Sequence, residues 1–225
     1  MADSLTKFNF IHVRARDLPV RKLADIKDIK AGSLAVGVNW LGLNSVSTVA
    51  GFSGSEVLVK SSDSFLKKLV LNDRLSAEYK GSVIFNLAGE ALGLINEAGE
   101  IEPISHLGGA IKSLFKNRTG VRPSLGISYI DLAELIEVAG QNGRWQKGVV
   151  IYNDLKAAAV KKNSPAETSG LRQGDIIISL DDLELNKDND LTDLVQDRLA
   201  GETISLVILR AGEEKEVRVT LAELK

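Results

Sequence analysis

Residues 163–178 have the sequence Asn-Ser-Pro-Ala-Glu-Thr-Ser-Gly-Leu-Arg-Gln-Gly-Asp-Ile-Ile-Ile, and this stretch decides the fold of the C-terminal half. Ser164 before Pro165 predicts a helix start, because serine caps free N–H groups and proline suits the first helical position. Gly170 predicts the end of that short helix. The apolar run after Gly174 predicts a strand at 175–180. A short helix followed directly by a buried strand is therefore expected.

The segments around this stretch predict about five strands and two helices in one compact module. A second helix is expected to begin at Asn189 or Asp190, because its apolar residues recur at helical spacing. The remaining strands are predicted at 148–153, at 203–210 and 215–221 around a turn at 211–213, and in the short run 123–130.

The N-terminal half is richer in strands with glycine turns, which favours a small antiparallel barrel or sandwich. Its cleanest hairpin is predicted at 82–86 and 91–95. A helical pattern runs over 107–117, and 118–123 is the best candidate linker. Trp40 is expected to pack in the barrel. Further strands are predicted at Phe8–Val13 and 32–38, with a hairpin over 46–60 that turns near Gly51–Gly54.

Composition describes an ordinary globular chain of one or two domains, with 225 residues, 44% hydrophobic residues and a net charge of −2. This charge gives no reason to expect nucleic acid or an anionic membrane surface as partner. The absence of cysteine excludes disulfides and thiolate metal sites. Two histidines, His12 and His106, lie far apart, so no metal or cofactor is implied. No signal peptide is visible after Met1, although an export signal could have been removed, and no apolar stretch reaches the roughly 20 residues of a membrane helix.

The run from Gly148 to Leu221 resembles a PDZ domain of the bacterial HtrA type. Upstream, Ala15–Ala24, Ile29–Ser33 and Phe85–Leu94 resemble the second barrel of the trypsin-like domain in HtrA-family serine proteases. The resemblance covers nearly the whole chain. It implies a mainly β fold: a six-stranded antiparallel barrel over 1–117, a linker at 118–123, and a PDZ domain with two helices over 124–225. It also suggests the bacterial cell envelope as the compartment.

The catalytic residues of that family are expected to be missing. The family has its nucleophile in a Gly-Asn-Ser-Gly-Gly-Pro motif just before the 85–94 hairpin, and the matching residues here run from Glu78 to Val83. Lys80 stands at the serine position, and an ammonium cannot act as the hydroxyl nucleophile. Glu78 replaces the glycine that helps shape the oxyanion hole, where a carboxylate would repel the developing charge. Lys7 stands at the aspartate position, and the barrel that carries the histidine has no counterpart.

Two alternatives to this interpretation concern the same segment. A two-residue shift of the alignment would put Ser82 at the nucleophile position, where a Ser82–Lys80 dyad could be imagined. The two lysines, Lys7 and Lys80, are expected to be solvated surface charges, or else to pair with acidic groups such as Glu78 or Asp73.

The resemblance also implies a peptide groove, in which a peptide adds as a strand to a sheet edge and its terminal carboxylate is held by loop amides. The carboxylate loop would be Ser124, Leu125, Gly126 and Ile127, and the edge strand would continue through Ser128, Tyr129 and Ile130. The facing helix would supply Leu191, Leu194, Val195 and Arg198. Such an apolar pocket favours a hydrophobic last residue. Alternatively, these apolar residues face the core and the groove is closed, and Arg198 and Arg122 are solvated.

The resulting prediction is a pseudoprotease with no enzymatic activity that recognises peptide or protein C-termini. One alternative is a structural or assembly subunit whose groove is occluded, or filled by its own chain or a neighbouring copy. Another is a fragment of a longer HtrA-like serine endopeptidase. A single barrel that normally packs against another leaves an apolar face uncovered, which predicts a homo-oligomer or a new partner.

Overall fold

The computed structural model describes residues 1–17, 21–54, 57–134, 147–153 and 158–224. The chain divides into two compact units. The first consists of Met1–Glu56 and Leu66–Gly108, and the second of Val57–Phe65 and Gly109–Lys225. A short piece of the N-terminal half thus belongs to the C-terminal unit.

Six antiparallel strands of the first unit close into a barrel in the order β1-β2-β4-β7-β6-β5. Short 3-10 helices occupy Ile26–Asp28, Ala77–Tyr79 and Ile104–Leu107. The barrel strands are β1 (Leu34–Val38), β2 (Asn44–Ser53), β4 (Lys68–Leu71), β5 (Val83–Phe85), β6 (Ala91–Ile95) and β7 (Ile101–Pro103).

Burial alternates along β1, β4 and β5, whereas β6 and β7 are buried almost throughout, and small and branched apolar side chains fill the barrel. Ala35 and Ile84 are fully buried, and Val49 and Leu69 nearly so. The predicted hairpin is confirmed as β5 paired with β6. Gly93 on β6 permits the close approach of β7, since a Cβ there would lie 2.7 Å from the Glu102 carbonyl oxygen.

Three expectations for the first unit are wrong. Residues 8–13 do not form a strand: Asn9 makes only an isolated bridge to Ala2, and Ile11 is 83% exposed. The hairpin predicted within 46–60, with a turn near Gly51, does not form. The strand β2 continues through Gly51 to Ser53, and a β-bulge lies between Val49 and Gly51. Trp40 is 84% exposed at the β1–β2 turn and does not pack in the barrel.

The second unit contains a sheet in the order β14-β13-β11-β10-β9-β3, with β12 added to β11, and a two-stranded sheet of β8 and β15. Helices with both ends among the described residues are α1 (Gly108–Asn117), α2 (Pro165–Thr168) and α3 (Leu191–Gln196). The first residue of α1, Gly108, still belongs to the first unit. The strands of the second unit are β3 (Lys60–Ser61), β8 (Pro123–Ser124), β9 (Ser128–Asp131), β10 (Val149–Ile151), β11 (Ile176–Leu180), β12 (Leu183–Glu184), β13 (Thr203–Arg210), β14 (Glu213–Thr220) and β15 (Ala222–Glu223).

The local signals of the sequence explain the two short helices of this unit. Ser164 accepts a hydrogen bond from the Glu167 N–H at the start of α2, as its position before Pro165 predicts. Asp190 caps α3 by accepting from the N–H groups of Thr192 and Asp193. Leu191 and Val195 then point into the apolar core between the helices and the sheet.

The two units differ from the predicted domain bounds at two places. Helix α1, predicted to close the barrel domain, belongs to the second unit from Gly109 onward. Gly109 permits this packing, since a Cβ there would lie 1.9 Å from the Gln196 carbonyl oxygen. The segment 57–65 joins the same unit through β3.

Candidate functional site: a strand-addition groove filled by the chain itself

The groove lies between the edge of the sheet at β9 and the helix α3, and a tight loop closes one end. In this loop Gly126 has a φ of +84°, and a Cβ there would lie 2.3 Å from the Cβ of Ser164. Only glycine fits both conditions. The loop therefore turns its backbone N–H groups toward the end of the groove.

A strand from elsewhere in the chain already occupies the edge. β3 pairs antiparallel with β9, with Lys60 opposite Tyr129 and Ser61 opposite Ser128. The Ser62 N–H continues this ladder by donating to the Ile127 carbonyl at 3.0 Å. The segment 57–65 is thus seated as an added strand, the binding mode by which peptides extend sheet edges.

The carboxylate of Asp63 occupies the end of the groove. Its Oδ1 accepts hydrogen bonds from the Leu125 N–H at 2.9 Å and the Gly126 N–H at 3.2 Å. Its Oδ2 accepts from the Ser124 hydroxyl at 2.6 Å. Successive backbone amides with an adjacent hydroxyl form an anion-binding concavity. The loop can therefore hold a carboxylate.

Side chains of α3 hold the backbone of the seated segment. The Thr192 hydroxyl donates to the Ser61 carbonyl at 2.8 Å. The Gln196 amide donates to the carbonyls of Ser62 at 3.1 Å and Pro123 at 3.0 Å. Ser62 itself is fully buried. The backbone polar groups of the segment are thus satisfied although they are removed from water.

Lys60 projects into an acidic corner of the groove. Its Nζ lies 2.7 Å from Glu134 Oε1 and 3.5 Å from Asp190 Oδ2, and its side chain is only 6% exposed. Burial raises the pKa of nearby Asp131, and the charge of Lys60 partly opposes that rise. This corner therefore holds a buried cation against several carboxylates.

Tyr129 forms the floor of the same corner. Its hydroxyl lies 2.8 Å from the Thr192 hydroxyl and donates to Asp190 at 3.2 Å. Burial, reinforced by the charge of Asp190, raises the pKa of Tyr129 well above its usual value. The phenol therefore stays neutral and fixes the start of α3 against the edge strand.

The structure brings together part of the predicted site. Ser124, Leu125 and Gly126 bind the Asp63 carboxylate, and the Ile127 N–H donates to the Ser62 hydroxyl. Ser128 and Tyr129 lie on the occupied edge. The other predicted residues have these positions: Ile130 is buried on β9, Leu191 and Val195 are in the core, and Leu194 packs against it.

The surroundings of Arg198 and Arg122 differ from those expected from the sequence. Arg198 binds Asp181 at 2.7 Å and Glu202 at 3.4 Å, so its charge is compensated away from the segment. Arg122, expected to be solvated, is 1% exposed and lies over the Phe65 ring at 5.5 Å. It thereby anchors the far end of the seated segment.

Sequence reasoning missed the occupant of the groove, Lys60–Asp63, and the α3 residues Thr192 and Gln196. Asp63 lies 62 residues before Leu125 in the chain. The pattern of neighbouring residues therefore cannot predict this contact. A pattern of small residues followed by aspartate, Ser61-Ser62-Asp63, is the one available signal, and it also fits an ordinary turn.

Some of the positions that match the protease motif are exposed on the first unit and others are buried. Glu78 and Lys80 are exposed at the 3-10 turn Ala77–Tyr79 and its C-cap. Lys7 is exposed too, with a φ of 65°, and its ammonium donates to the Ser4 carbonyl. Ser82 is 3% exposed. Within the described residues neither lysine forms an ion pair, and Asp73 accepts instead from the Ser47 hydroxyl at 2.8 Å.

The two histidines have different surroundings: one is exposed and the other is buried. His12 is exposed. His106 is 2% exposed, and its Nδ1 lies 2.6 Å from Glu102 Oε1, whose other oxygen binds Lys68. Burial alone raises the pKa of Glu102, but the hydrogen bonds from His106 and Lys68 outweigh it and hold the pKa below its usual value. This network stabilises a buried carboxylate.

Across the ranges that the structure describes, no three His, Cys, Asp or Glu side chains are arranged to hold a metal ion. Among the helices of those same ranges, none is long and apolar enough to cross a membrane.

Comparison with protein families identifies the second unit. The family model described as PDZ domain matches residues 123–221. The groove, its glycine loop and the α3 helix all lie within that match. The fold is thus a six-stranded antiparallel barrel followed by a PDZ domain, as predicted.

Sequence similarity to curated relatives extends over both units. The putative serine protease HhoB of Synechocystis sp. is 25% identical over 232 residues, which cover 96% of this chain and 55% of that protein. A probable periplasmic serine endoprotease, DegP-like, of Hahella chejuensis is 23% identical over 245 residues, covering 99% of this chain and 48% of the relative. The chain spans about half the length of these relatives.

Solved structures show the same fold. The HtrA-type protease AlgW with tripeptide superposes with a TM-score of 0.59 at 19% identity, covering 95% of this chain and 72% of AlgW. AlgW with decapeptide gives a TM-score of 0.57, covering 94% of this chain and 66% of that one. The chain is therefore a homologue of the HtrA-family serine proteases, with one trypsin-like barrel followed by a PDZ domain.

Proposed function

We propose that this chain is a non-catalytic binding protein whose PDZ groove recognises the C-termini of peptides or proteins by strand addition. The observation that carries the proposal is the Asp63 carboxylate, held by the N–H groups of Leu125 and Gly126 at the end of an added strand. A groove that binds its own strand and carboxylate has the chemistry to bind another chain's.

The seated segment is then an internal ligand that an incoming peptide must displace. Because it is tethered, its effective concentration at the groove is on the order of millimolar for a short flexible connection. The apparent affinity for an external peptide falls by the fraction of molecules whose groove is open. Recognition is therefore regulated by release of the segment.

The absence of catalysis is the second part of the proposal. The exposed ammonium of Lys80 stands where the family has its serine, and it cannot serve as the acyl-accepting hydroxyl. The alternative nucleophile, Ser82, directly precedes β5 and is only 3% exposed, so a substrate has little access to its hydroxyl. A carboxylate at Glu78 also opposes an oxyanion.

A second candidate function is structural: a groove permanently closed by residues 57–65. The dense bonding of this segment favours it, including the buried Ser62 and the cation–π contact of Phe65 with Arg122. The two functions differ in one measurable respect, which is whether an external peptide enters the groove.

The test is a titration with fluorescent peptides that end in a hydrophobic residue, each as a free acid and as an amide. We expect the Asp63→Ala chain to bind the free acids at least about tenfold more tightly than the wild-type chain, because its internal carboxylate is gone. The amidated peptides should not bind, because they have no terminal carboxylate for the N–H groups of the loop to hold. Asp188→Ala, which removes an exposed carboxylate of the same unit, should match the wild type.

Binding of neither peptide form to Asp63→Ala would overturn the recognition proposal and favour the closed structural module. A separate assay with unfolded protein substrates tests the other part. Proteolysis that Ser82→Ala abolishes would contradict a non-catalytic role.

The names of relatives such as the Hahella chejuensis protein place those proteins in the periplasm. This supports the cell envelope as the proposed compartment of the present chain, where exposed C-termini of envelope proteins would be its partners.

A further inference from the structure

The register of the seated segment shows which residue of a bound peptide would meet each part of the groove. The Ser62 N–H makes the last ladder bond, to Ile127, and the carboxylate of Asp63 then sits on the amides of Leu125 and Gly126. In a free peptide the terminal carboxylate follows its last residue directly. The last residue therefore takes the place of Ser62.

Side chains alternate along an added strand, so every second residue faces the groove. Counting back from Ser62, the next residue on the groove face is Lys60, which pairs with Tyr129. The third residue from the end of a bound peptide therefore takes the place of Lys60 in the acidic corner.

That corner is built from carboxylates on three sides. Asp131 closes β9, Glu134 follows it, and Asp190 and Asp193 begin α3. Lys60 is in ion-pair contact with Glu134 and Asp190. Asp131 and Asp190 are each 6% exposed, so water does little to screen them.

Release of the segment removes Lys60 from this corner. The ion pairs that Lys60 makes with Glu134 and Asp190 are then lost, which is unfavourable for carboxylates removed from water, and a like charge brought against them is worse. A peptide with an apolar side chain at that place does not replace the lost ion pairs, and one with an acidic side chain adds repulsion. A lysine or arginine side chain restores the ion pairs. From this juxtaposition we propose that the groove selects peptides whose third residue from the C-terminus is lysine or arginine. The inference rests on the proposed recognition of C-termini.

The experiment uses the full chain carrying Lys60→Ala and Asp63→Ala, which together weaken the internal ligand and leave the acidic corner unfilled. Three fluorescent octapeptides with a free terminal carboxylate differ only at the third residue from the end, which is lysine, alanine or glutamate. We expect the lysine peptide to bind about tenfold or more tightly than the alanine peptide, and the glutamate peptide to bind weakest.

A charge-reversal variant makes the result specific to the corner. Adding Glu134→Lys should remove most of the preference for the lysine peptide and improve binding of the glutamate peptide. Adding Glu214→Lys, an exposed position on β14, changes net charge equally and should leave the order of the three peptides unchanged. Should the combined variants fail to fold, the single Asp63→Ala chain is titrated with the same peptides.

The possible failures are distinguishable. Equal binding of all three free-acid peptides would overturn the preference for a basic residue and leave recognition of C-termini intact. A preference for lysine that survives Glu134→Lys would assign it to the net charge of the chain and also overturn the inference. Binding of none of the peptides would overturn the proposed function and this inference with it.

Discussion

The side-chain carboxylate of Asp63 accepts a 2.9 Å hydrogen bond from the backbone N–H of Leu125, across 62 positions of the chain. The same oxygen also accepts from Gly126, and its partner oxygen from the Ser124 hydroxyl. An internal aspartate thus satisfies a loop that a PDZ domain offers to a terminal carboxylate. The stability of the seated segment and the accessibility of the groove are consequently linked through one side chain.

Replacing Asp63 with alanine should loosen the segment without unfolding the unit. Hydrogen bonds to a charged group are each worth about 1.5–3 kcal/mol, and the four that the Asp63 carboxylate accepts are lost here. The Ser62 N–H, which donates to Ile127, should therefore exchange with solvent at least about tenfold faster in the variant. Native-state hydrogen exchange followed by NMR measures this rate directly.

The control for this exchange measurement is Asp188→Ala, whose carboxylate is exposed and whose Ser62 rate should equal that of the wild type. Amides in the core strand β13 should exchange alike in all three chains. Uniform acceleration throughout the second unit would contradict a local release and indicate that the segment is required for the fold.

Replacing Gly126 with alanine should damage the carboxylate loop through both strain and collision. Its φ of +84° is unfavourable for alanine, and the new Cβ would lie 2.3 Å from the Cβ of Ser164. Gly212→Ala is a matched control, with a φ of +86° and no atom within 4 Å of the new Cβ.

Both alanine variants are expected to lose about 1 kcal/mol of unfolding free energy from the backbone alone. Gly126→Ala should lose a further 1–3 kcal/mol, roughly, from overpacking against Ser164. Urea unfolding of the three chains measures the difference. Equal midpoints for the two variants would show that the loop yields to the extra methyl group.

Local chemistry in the sequence predicts much of the second unit. Pro165 after Ser164 marks the start of α2, and the turn at Gly212 joins β13 to β14, as the structure shows. The β5–β6 hairpin of the barrel is predicted equally well. These elements depend on neighbours within a few residues, so a single sequence carries their signals.

The occupant of the groove depends on a contact that no local pattern reports. Residues 57–65 follow β2 in the chain, and the period of their side chains does not reveal whether they extend the barrel or cross to another sheet. The strand predicted at Phe8–Val13 is absent for a related reason: Ile11 and Val13 find no sheet to pack against and remain exposed, at 83% and 64%. Alternation predicts a strand only where a partner strand is available.

The ion pair of Arg210 with Asp175 should not tolerate lysine. Arg210 Nε and Nη2 donate to the two carboxylate oxygens at 2.7 and 2.6 Å, and Asp175 is only 2% exposed. A lysine cannot supply this two-pronged geometry. We expect Arg210→Lys to lower the free energy of unfolding by about 1.5 kcal/mol. Arg218→Lys, at a 77% exposed side chain, should change it by less than about 0.5 kcal/mol, and equal losses would contradict the prediction.

The buried contact of Glu102 with His106 and Lys68 predicts a pH-dependent stability of the barrel. Because the folded pKa of Glu102 lies below its ordinary value of 4.5, the carboxylate stabilises the fold above that pH and loses this effect as pH falls through the folded pKa. Glu102→Gln should therefore lower the free energy of unfolding by about 3 kcal/mol at neutral pH.

The gap in unfolding free energy between Glu102→Gln and the wild type should narrow as pH falls below about 4.5. The control Glu97→Gln, at an exposed position of the adjoining turn, should follow the wild type throughout. Urea unfolding between pH 3 and 7, roughly, tests this, and a gap that stays constant across the range would show that Glu102 acts through packing rather than through its charge.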